Sequence, residues 1–353
     1  MVVSGLLSRL KAIALERVNF IDGVGTIIYD GHASMHRAAS HGSVAKKFAL
    51  ERDVRALAME MLVETRRFEA AGWHVVVVFD GATPPSKART SKSRSSDRDT
   101  ALAACRLLQA QSPINEQELS KRARGEVEFT STAVAQVSQI LKHSLRADIL
   151  TAPYEADSQL KIMEDVYSRE GERCFVRAND ADLVVLGVRS LLWDVKVEQG
   201  CLVGRCIQQT KFLHPEGGVY SDSSMAFDFL RQLHAVNREE GPAEWSRVEG
   251  YVMARLRNYA CVVGNDYANI AGIGPMRGLD IAIPDGRILS LVEIVENVAE
   301  ATNRRMTAEV LLPQLKASVD MFCHPIVWDP LTGAHRHLSG VESSADITIN
   351  TGA

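Results

Sequence analysis

The chain has 353 residues, 46% of them hydrophobic, so it can bury a large core in one big domain or two smaller ones. Its formal net charge of -4 and pI of about 6.2 exclude a polyanionic partner held by overall charge alone, and such a partner would need a local basic surface. No apolar run approaches the ~20 residues that span a bilayer. The six cysteines have neither CxxC spacing nor histidines at zinc-finger distance. We therefore expect an intracellular, soluble protein with reduced thiols and no membrane partner.

The first part of the chain predicts an α/β fold. Residues 1–20 weakly resemble an organelle presequence, but a packed N-terminal helix fits them better. The sequence predicts a strand at Gly25–Tyr29 and a helix from about Val44 to Phe68. The run Val75–Phe79 is the strongest signal of a buried strand. Strand, helix, strand, helix is the order of a fold with a parallel sheet. We therefore predict a central, mostly parallel sheet flanked by helices.

A basic excursion covers residues 84–130. It contains Lys87, Arg89, Lys92, Arg94, Arg98, Arg106, Lys121, Arg122 and Arg124, with serines interleaved. Composition alone favours a solvated helical excursion. If they lie beside the pocket of acidic residues that is predicted below, the same residues are better explained as a clamp for the phosphates of a charged polymer.

Two closely spaced acidic pairs follow the excursion. A helix from Ser131 to Leu145 leads to Glu155 and Asp157, and Pro153 suits the opening turn of the helix that carries them. Near the start of that helix, both carboxylates could reach one site. The second pair, Asp180 and Asp182, follows the apolar run Cys174–Val176.

Three aspartates occupy equivalent places in this pattern. Asp30, Asp80 and Asp180 each fall at or just beyond the carboxyl end of a predicted strand, which is where open α/β sheets bind ligands. A single aspartate of this kind is commonly a helix cap or a turn residue. A cap or turn role becomes a weak explanation when it has to account for all the acids together. We predict that the three converge with Glu155, Asp157 and Asp182 on one pocket.

The C-terminal part adds a seventh candidate acid and a glycine-rich turn. A strand at Leu191–Val195 is followed by a loop-rich insertion at 207–243, and then by a helix from about Glu244 to Val263. Next come Asp266, a seventh candidate acid, and the turn Gly272-Ile273-Gly274-Pro275. Closely spaced glycines before a helix can present backbone groups to a phosphate or a monovalent cation. An edge strand is expected at 326–330 and a flexible tail at 341–353.

These pieces, in this order, resemble the structure-specific 5′ nuclease superfamily of flap endonucleases, and most closely its exonuclease 1 group. The segments that carry the resemblance are 78–87, 152–157, 179–183, 264–267 and 272–274, with 326–330 at the end. The resemblance implies a PIN-like 5′ nuclease fold in a single nuclease domain over 1–340. That domain would include a helical arch at about 84–130 and a helix-two-turn-helix DNA-binding lobe at about 244–318.

The resemblance also implies roles for individual residues. Two Mg²⁺ or Mn²⁺ ions would be held by Asp30, Asp80, Glu155, Asp157, Asp180, Asp182 and Asp266. Lys87 and Arg94 match positions that contact the scissile phosphate, so the catalytic set is Lys87, Arg94 and Asp182. The implied DNA-binding set is His36, Lys87, Arg89, Lys92, Arg94, Gly272, Ile273 and Gly274, with a K⁺ ion at the glycine turn.

Three features depart from the family pattern. Val2, Val3 and Ser4 stand before Gly5, where the family has Gly directly after the initiator Met. The turn between Asp266 and Gly272 is one residue shorter than usual and lacks a serine, which puts the K⁺ site in question. The loop around 215–224 is longer than in close relatives.

The residues themselves indicate the chemistry. Seven crowded carboxylates raise one another's pKa unless cations are present. Two divalent ions ~4 Å apart would relieve this and clamp a phosphodiester for in-line attack by water, with Lys87 and Arg94 stabilising the growing negative charge.

We therefore predict a 5′ to 3′ exonuclease on double-stranded DNA that also cuts 5′ flaps, acting in DNA repair or recombination. Its substrates would be DNA with 5′ ends, nicks or flaps, and we expect a nuclear monomer. Four alternatives stay open: a flap endonuclease proper, a 5′ exonuclease acting on RNA, a non-catalytic scaffold for branched DNA, and a small-molecule phosphohydrolase.

Overall fold

The computed structural model describes residues 3, 6–20, 25–84, 87, 100, 102–110, 117–119, 121, 123, 129–169, 171–213, 229, 233, 245–265, 267–268, 270–284 and 288–339. Within these ranges, its contacts divide into two compact units. Unit 1 comprises residues up to 18, 179–194 and 204–339, and unit 2 comprises 19–178 and 195–203. The expectation of one nuclease domain over 1–340 stays a prediction, and the tail at 341–353 lies outside the described residues.

The strands form a mostly parallel sheet, as predicted. They are β1 (Leu15–Phe20), β2 (Thr26–Asp30), β3 (His74–Phe79), β4 (Asp148–Thr151), β5 (Cys174–Arg177), β6 (Ser190–Glu198) and β7 (Cys201–Gln208). The strand order is β1-β7-β6-β5-β2-β3-β4, and β2 pairs in parallel with both β3 and β5. β3 and β5 are buried because their residues are almost all apolar and, in β3, β-branched. The predicted fold class is confirmed.

Five helices of the described part of unit 2 pack around its part of the sheet or on one another. They are α2 (Gly31–Ser40), α3 (Gly42–Glu51), α4 (Val54–Ala70), α5 (Ser131–Ser144) and α6 (Ala156–Tyr167). α6 packs against β2, β3 and β5, while α4 packs against α2, α3 and α5. The fully buried residues Tyr29, Phe48, Phe68 and Phe79 belong to this core.

The helix predicted from Val44 to Phe68 is in fact two helices. Arg52 adopts the left-handed conformation (φ 55°) after α3, and the Asp53 carboxylate then accepts a hydrogen bond from the Ala56 N–H at 3.0 Å to begin α4. The placement of Pro153 in a helix is also wrong. α6 begins at Ala156 with Glu155 as its N-cap, so Pro153 lies in the preceding loop.

Unit 1 is mainly helical. Its helices are α1 (Leu6–Ala14), α7 (Asp182–Leu186), α8 (Gln209–Leu213), α9 (Trp245–Val263), α10 (Pro275–Ala282), α11 (Leu291–Ala301) and α12 (Ala308–Cys323). α9 packs against α7, α10, α11 and α12. A small antiparallel hairpin joins β8 (Ile326–Asp329) to β9 (Ala334–His337), which confirms the strand expected at 326–330. The helix expected within residues 1–20 is present over Leu6–Ala14, but the expectation is wrong for residues 15–20, which form strand β1.

Candidate active site

Asp30 and Asp80 lie at the same edge of the sheet in unit 2. Asp30 is the last residue of β2 and pairs with Val78 of the neighbouring parallel strand, so Asp80 lies two residues beyond that pair, directly after the end of β3. The Asp30 carboxylate caps α2 by accepting the Ala33 N–H at 3.1 Å. The Asp80 carboxylate accepts the Ala156 N–H at 2.7 Å. Both aspartates therefore make the hydrogen bonds of helix caps, and both follow the carboxyl ends of adjacent parallel strands.

The electrostatics of Asp30 indicate a site suited to a cation. Burial and, to a smaller extent, the negative charge of Asp80 together raise the pKa of this carboxyl to about 7, against the backbone hydrogen bonds from Ala33 and His32. A carboxylate whose ionisation is disfavoured by burial and by a neighbouring negative charge would be stabilised by a positive ion beside it. Carboxylate oxygens are the ligands that Mg²⁺ and Mn²⁺ prefer.

Glu155 brings the base of the basic excursion to this region. Glu155 precedes α6, and its carboxylate forms an ion pair with the Lys87 ammonium. Their side chains are only 12% and 18% exposed, so the pair is shielded from most solvent. Asp157 lies in the first turn of α6, two residues further. Of the predicted phosphate-contacting residues, Lys87 is thus placed beside an acid.

Backbone hydrogen bonds join the loop that carries Asp80 to the loop that leads to Glu155. The Gly81 N–H donates to Tyr154 O at 2.6 Å, the Ala82 N–H to Pro153 O at 3.1 Å, and the Ala152 N–H to Phe79 O at 2.8 Å. Gly81 makes the approach possible, because a Cβ there would stand 2.0 Å from the carbonyl oxygen of Ala152. The separation of these two acids is therefore fixed by the main chain.

His32 also touches the acidic edge, and the sequence analysis missed it. Its Nδ1 accepts the Asp80 N–H at 3.2 Å and lies 3.4 Å from the Asp80 carboxylate. The available signal was a histidine two residues after a strand-end aspartate. His36, which the resemblance placed in the DNA-binding set, stacks edge-on against Phe129 with ring centroids 4.7 Å apart.

The described part of the basic excursion packs against α3. Cys105, Leu119 and Ala123 form a small buried cluster with Ala45 and Ala49. The described residues of the excursion therefore share a small buried cluster with α3. Arg89, Lys92 and Arg94 lie outside the described residues, and their predicted phosphate contacts stay predictions.

Asp180 and Asp182 belong to unit 1, where backbone amides hold them. The Asp182 N–H donates to the Asp180 carboxylate at 2.9 Å, and the Val3 N–H donates to the Asp182 carboxylate at 2.8 Å. Asp182 is 8% exposed. The bond from Val3 joins residues 179 positions apart, and no sequence pattern pointed to it. It gives the N-terminal segment a contact with a predicted metal ligand.

The glycine turn of unit 1 leads directly into helix α10. Gly272 has a positive φ of 85°, which favours glycine, and Gly274 is the N-cap of α10 with Pro275 at its start. Ile273 is buried, with 6% of its surface exposed. Asn265 orders the preceding loop by accepting the N–H groups of Tyr267 and Ala268. Asp266 lies outside the described residues.

Taken separately, the two units each contain part of the predicted acid set. Within the ranges that the structure describes, no group of three or more His, Cys, Asp or Glu side chains is arranged to hold a metal ion. The seven-acid metal site therefore stays a prediction, supported by the hard oxygen donors and by the raised pKa of Asp30. All six cysteines are free thiols. No helix among the described residues is long and apolar enough to cross a membrane.

Two relatives are similar in sequence. Exonuclease 1 of Xenopus laevis is 29% identical over 192 residues, which are 54% of this chain and 25% of that protein. Exonuclease 1 of Danio rerio is 25% identical over 219 residues, which are 60% of this chain and 26% of that protein. The chain therefore spans about a quarter of the length of the relatives it matches. No family model matches the chain.

A solved structure gives an independent comparison. The catalytic core of Rad2 in complex with DNA substrate superimposes with a TM-score of 0.52 at 14% identity, covering 96% of this chain and 91% of that one. At this identity the likeness shows the fold. Together with the two sequence matches, it confirms the resemblance to the exonuclease 1 group of the 5′ nuclease superfamily.

Proposed function

We propose that this chain, which resembles exonuclease 1 in sequence and shares the fold of the Rad2 catalytic core, is a structure-specific 5′ nuclease. Its reaction is hydrolysis of double-stranded DNA from a 5′ end, and it cuts 5′ flaps as a related activity. The proposed process is DNA repair or recombination in the nucleus, with the chain acting as a monomer.

One observation carries the proposal. Asp30 and Asp80 lie at the carboxyl ends of adjacent parallel strands, and the Asp80 loop is hydrogen-bonded to the loop before Glu155, which pairs with Lys87. Acids at a sheet edge are common at ligand sites of many kinds. An acid there that is paired with the first cation of a basic excursion favours a substrate carrying phosphates.

The acids and the cations have separate roles in this proposal. Divalent ions, held by Asp30, Asp80, Glu155, Asp157, Asp180, Asp182 and Asp266, would polarise the phosphodiester and favour deprotonation of a water molecule. Lys87 and Arg94 orient the scissile phosphate and stabilise the negative charge that grows on it. His32 orients Asp80 through the bond to its backbone N–H.

The remaining elements hold the nucleic acid. The excursion at 84–130 admits the 5′ end or flap, with Arg89 and Lys92 on phosphates, and His36 belongs to the DNA-binding set. Gly272, Ile273 and Gly274 offer backbone groups to the duplex phosphates, with or without K⁺. Because these are phosphate contacts, cleavage should follow the structure of the DNA and not its base sequence.

A comparison of labelled substrates tests the proposal. The purified chain is incubated with 5′-labelled blunt duplex, 5′-recessed duplex, 5′-flap DNA, single-stranded DNA and matched RNA, each with Mg²⁺ or with EDTA. We expect Mg²⁺-dependent release of 5′ nucleotides from duplex DNA and cutting at the flap junction. Cleavage of RNA alone would move the assignment to an RNA exonuclease, and binding of flap DNA without cleavage would make the chain a scaffold.

A further inference from the structure

Arg9 of α1 is a buried cation that contacts the glycine turn of unit 1. Its Nη1 donates to the hydroxyl of Tyr259 on α9 and lies 3.5 Å from the carbonyl oxygen of Pro275. Its Nη2 lies 3.2 Å from the sulfur of Met276, and only 9% of the residue is exposed. One side chain thus joins three helices beside the turn at 272–275.

The chemistry of these contacts is unusual for a guanidinium. The partners above are uncharged, and the cation also lies over the rings of Phe229 and Tyr259, with 5.2 and 5.6 Å to the centroids. Burial of a charge is costly unless dipoles and π faces compensate for it. An apolar side chain could fill this space at lower cost, so packing alone does not explain the presence of an arginine.

The other end of the same helix reaches a predicted catalytic acid. The Leu6 N–H, at the first residue of α1, donates to Val3 O at 3.2 Å, so Val3 is tied to the start of the helix. The N–H of Val3 in turn donates to the Asp182 carboxylate. Leu6 and Leu10 are 0% and 1% exposed, so α1 is packed into the core of unit 1.

We propose that Arg9 is a positioning residue for the reaction proposed above. It fixes α1 on the duplex-holding turn and so keeps the Val3 N–H on Asp182. Arg9 touches neither substrate nor reacting atoms. It positions Asp182 through α1, a helix of nine residues. The DNA held at the turn and the Asp182 carboxylate are then both positioned by the same helix.

The test compares Arg9→Leu with two variants. Tyr259→Phe removes only the hydroxyl that accepts from Arg9, and should have the same effect at smaller size. Lys11→Gln is the control on the same helix, because Lys11 lies over the ring of Trp193 at 3.6 Å and does not contact the turn. For Arg9→Leu we expect kcat on duplex DNA to fall on the order of tenfold while the Kd for duplex changes less than about twofold.

Amide exchange gives a readout that does not need activity. In protein labelled with ¹⁵N-valine, the Val3 amide should exchange slowly in the wild type and in Lys11→Gln, and faster in Arg9→Leu and Tyr259→Phe. Unchanged exchange at Val3, or a parallel loss of kcat and duplex affinity, would overturn the positioning role. If the wild type cleaves no DNA, the proposed function fails, and the exchange of Val3 still decides whether Arg9 holds that contact.

If Arg9→Leu does not fold, Tyr259→Phe carries the test, because its ring keeps the buried packing of α9. A Tyr259→Phe protein with wild-type kcat and wild-type exchange at Val3 would then overturn the proposal.

Discussion

The acids of both units accept backbone amides, and one acid of unit 2 also pairs with a charged side chain. In unit 2, Asp30 and Asp80 accept helix-start amides, and Glu155 is paired with the ammonium of Lys87. In unit 1, the described contacts of the Asp180 and Asp182 carboxylates are backbone N–H groups. Unit 2 thus includes a charged side chain that a substitution can remove, and unit 1 includes a main-chain N–H that only proline removes. The two sets should therefore respond differently to substitution.

The largest expected effect is in unit 1. Asp182→Ala should lower metal-dependent cleavage by on the order of a thousandfold or more, because an acid predicted to hold the ions is lost. Duplex binding, measured by fluorescence anisotropy, should be retained. Asp320→Ala, at an exposed position of α12, is the matched control. An Asp182→Ala protein that still degrades 5′-recessed duplex would refute the assignment.

A smaller effect is expected when the cation of unit 2 is removed. Lys87→Met should lower kcat by about a hundredfold, which is typical of losing one group that stabilises transition-state charge. Lys196→Met removes an exposed ion pair with Glu198 in the same unit and should leave kcat unchanged. Single-turnover rates check both. Equal rates for Lys87→Met and the wild type would mean that Lys87 serves only to balance Glu155.

The main-chain contact of unit 1 can be removed with proline. Val3→Pro has no N–H to donate to Asp182, and a hydrogen bond to a charged group contributes about 1.5–3 kcal/mol, so kcat should fall roughly tenfold. Val3→Ala keeps the N–H and removes only packing. If the alanine variant loses as much activity as the proline variant, the side chain of Val3 matters and its amide does not.

The smallest effect concerns stability and pH in unit 2. The pKa of Asp30 is raised to about 7 in the folded protein, above ~3.9 in the unfolded chain, so the folded state binds the extra proton between those values. Its contribution to stability is present below about pH 4 and is lost as the pH rises through about 7. With EDTA present, Asp30→Asn should stabilise the protein at pH 8 by on the order of 1 kcal/mol.

Urea unfolding at pH 5 and pH 8 measures this difference. Asparagine is also a good N-cap, so α2 should keep its start. Asp53→Asn changes the other N-cap aspartate of the unit, at α4, and serves as the control. If the wild type and Asp30→Asn lose stability in parallel between pH 5 and pH 8, the raised pKa of Asp30 does not contribute to stability.

Local sequence was enough for the central strands of the sheet but not for β1, β7 or every helix boundary. The run Val75–Phe79 is β-branched and apolar, so it could hardly be anything other than a buried strand. The break at Arg52 gave no such signal, because arginine is a good helix former and nothing in its side chain requires a positive φ. The helix at 31–40 was not predicted, since its residues form only a weak apolar stripe.

The features of the candidate site also differ in whether local sequence could predict them. The strand-end rule found Asp30 and Asp80 because it needs only the position of a residue after a strand. The contacts of Asp182 with Val3 and of Arg9 with Tyr259 join residues far apart in the chain, and they depend on how the helices of unit 1 pack. Pairings of that kind cannot be read from the spacing of residues along the sequence.

Gly81 limits how the acidic edge of unit 2 can vary. Any side chain at this position would have to push away the carbonyl oxygen of Ala152, and with it the loop that leads to Glu155. A library that randomises residues 80–84 should therefore return active clones with many residues at 82 and 83 and with glycine alone at 81. For protein engineering, residues 82 and 83 of this loop can be varied, whereas residue 81 must stay glycine.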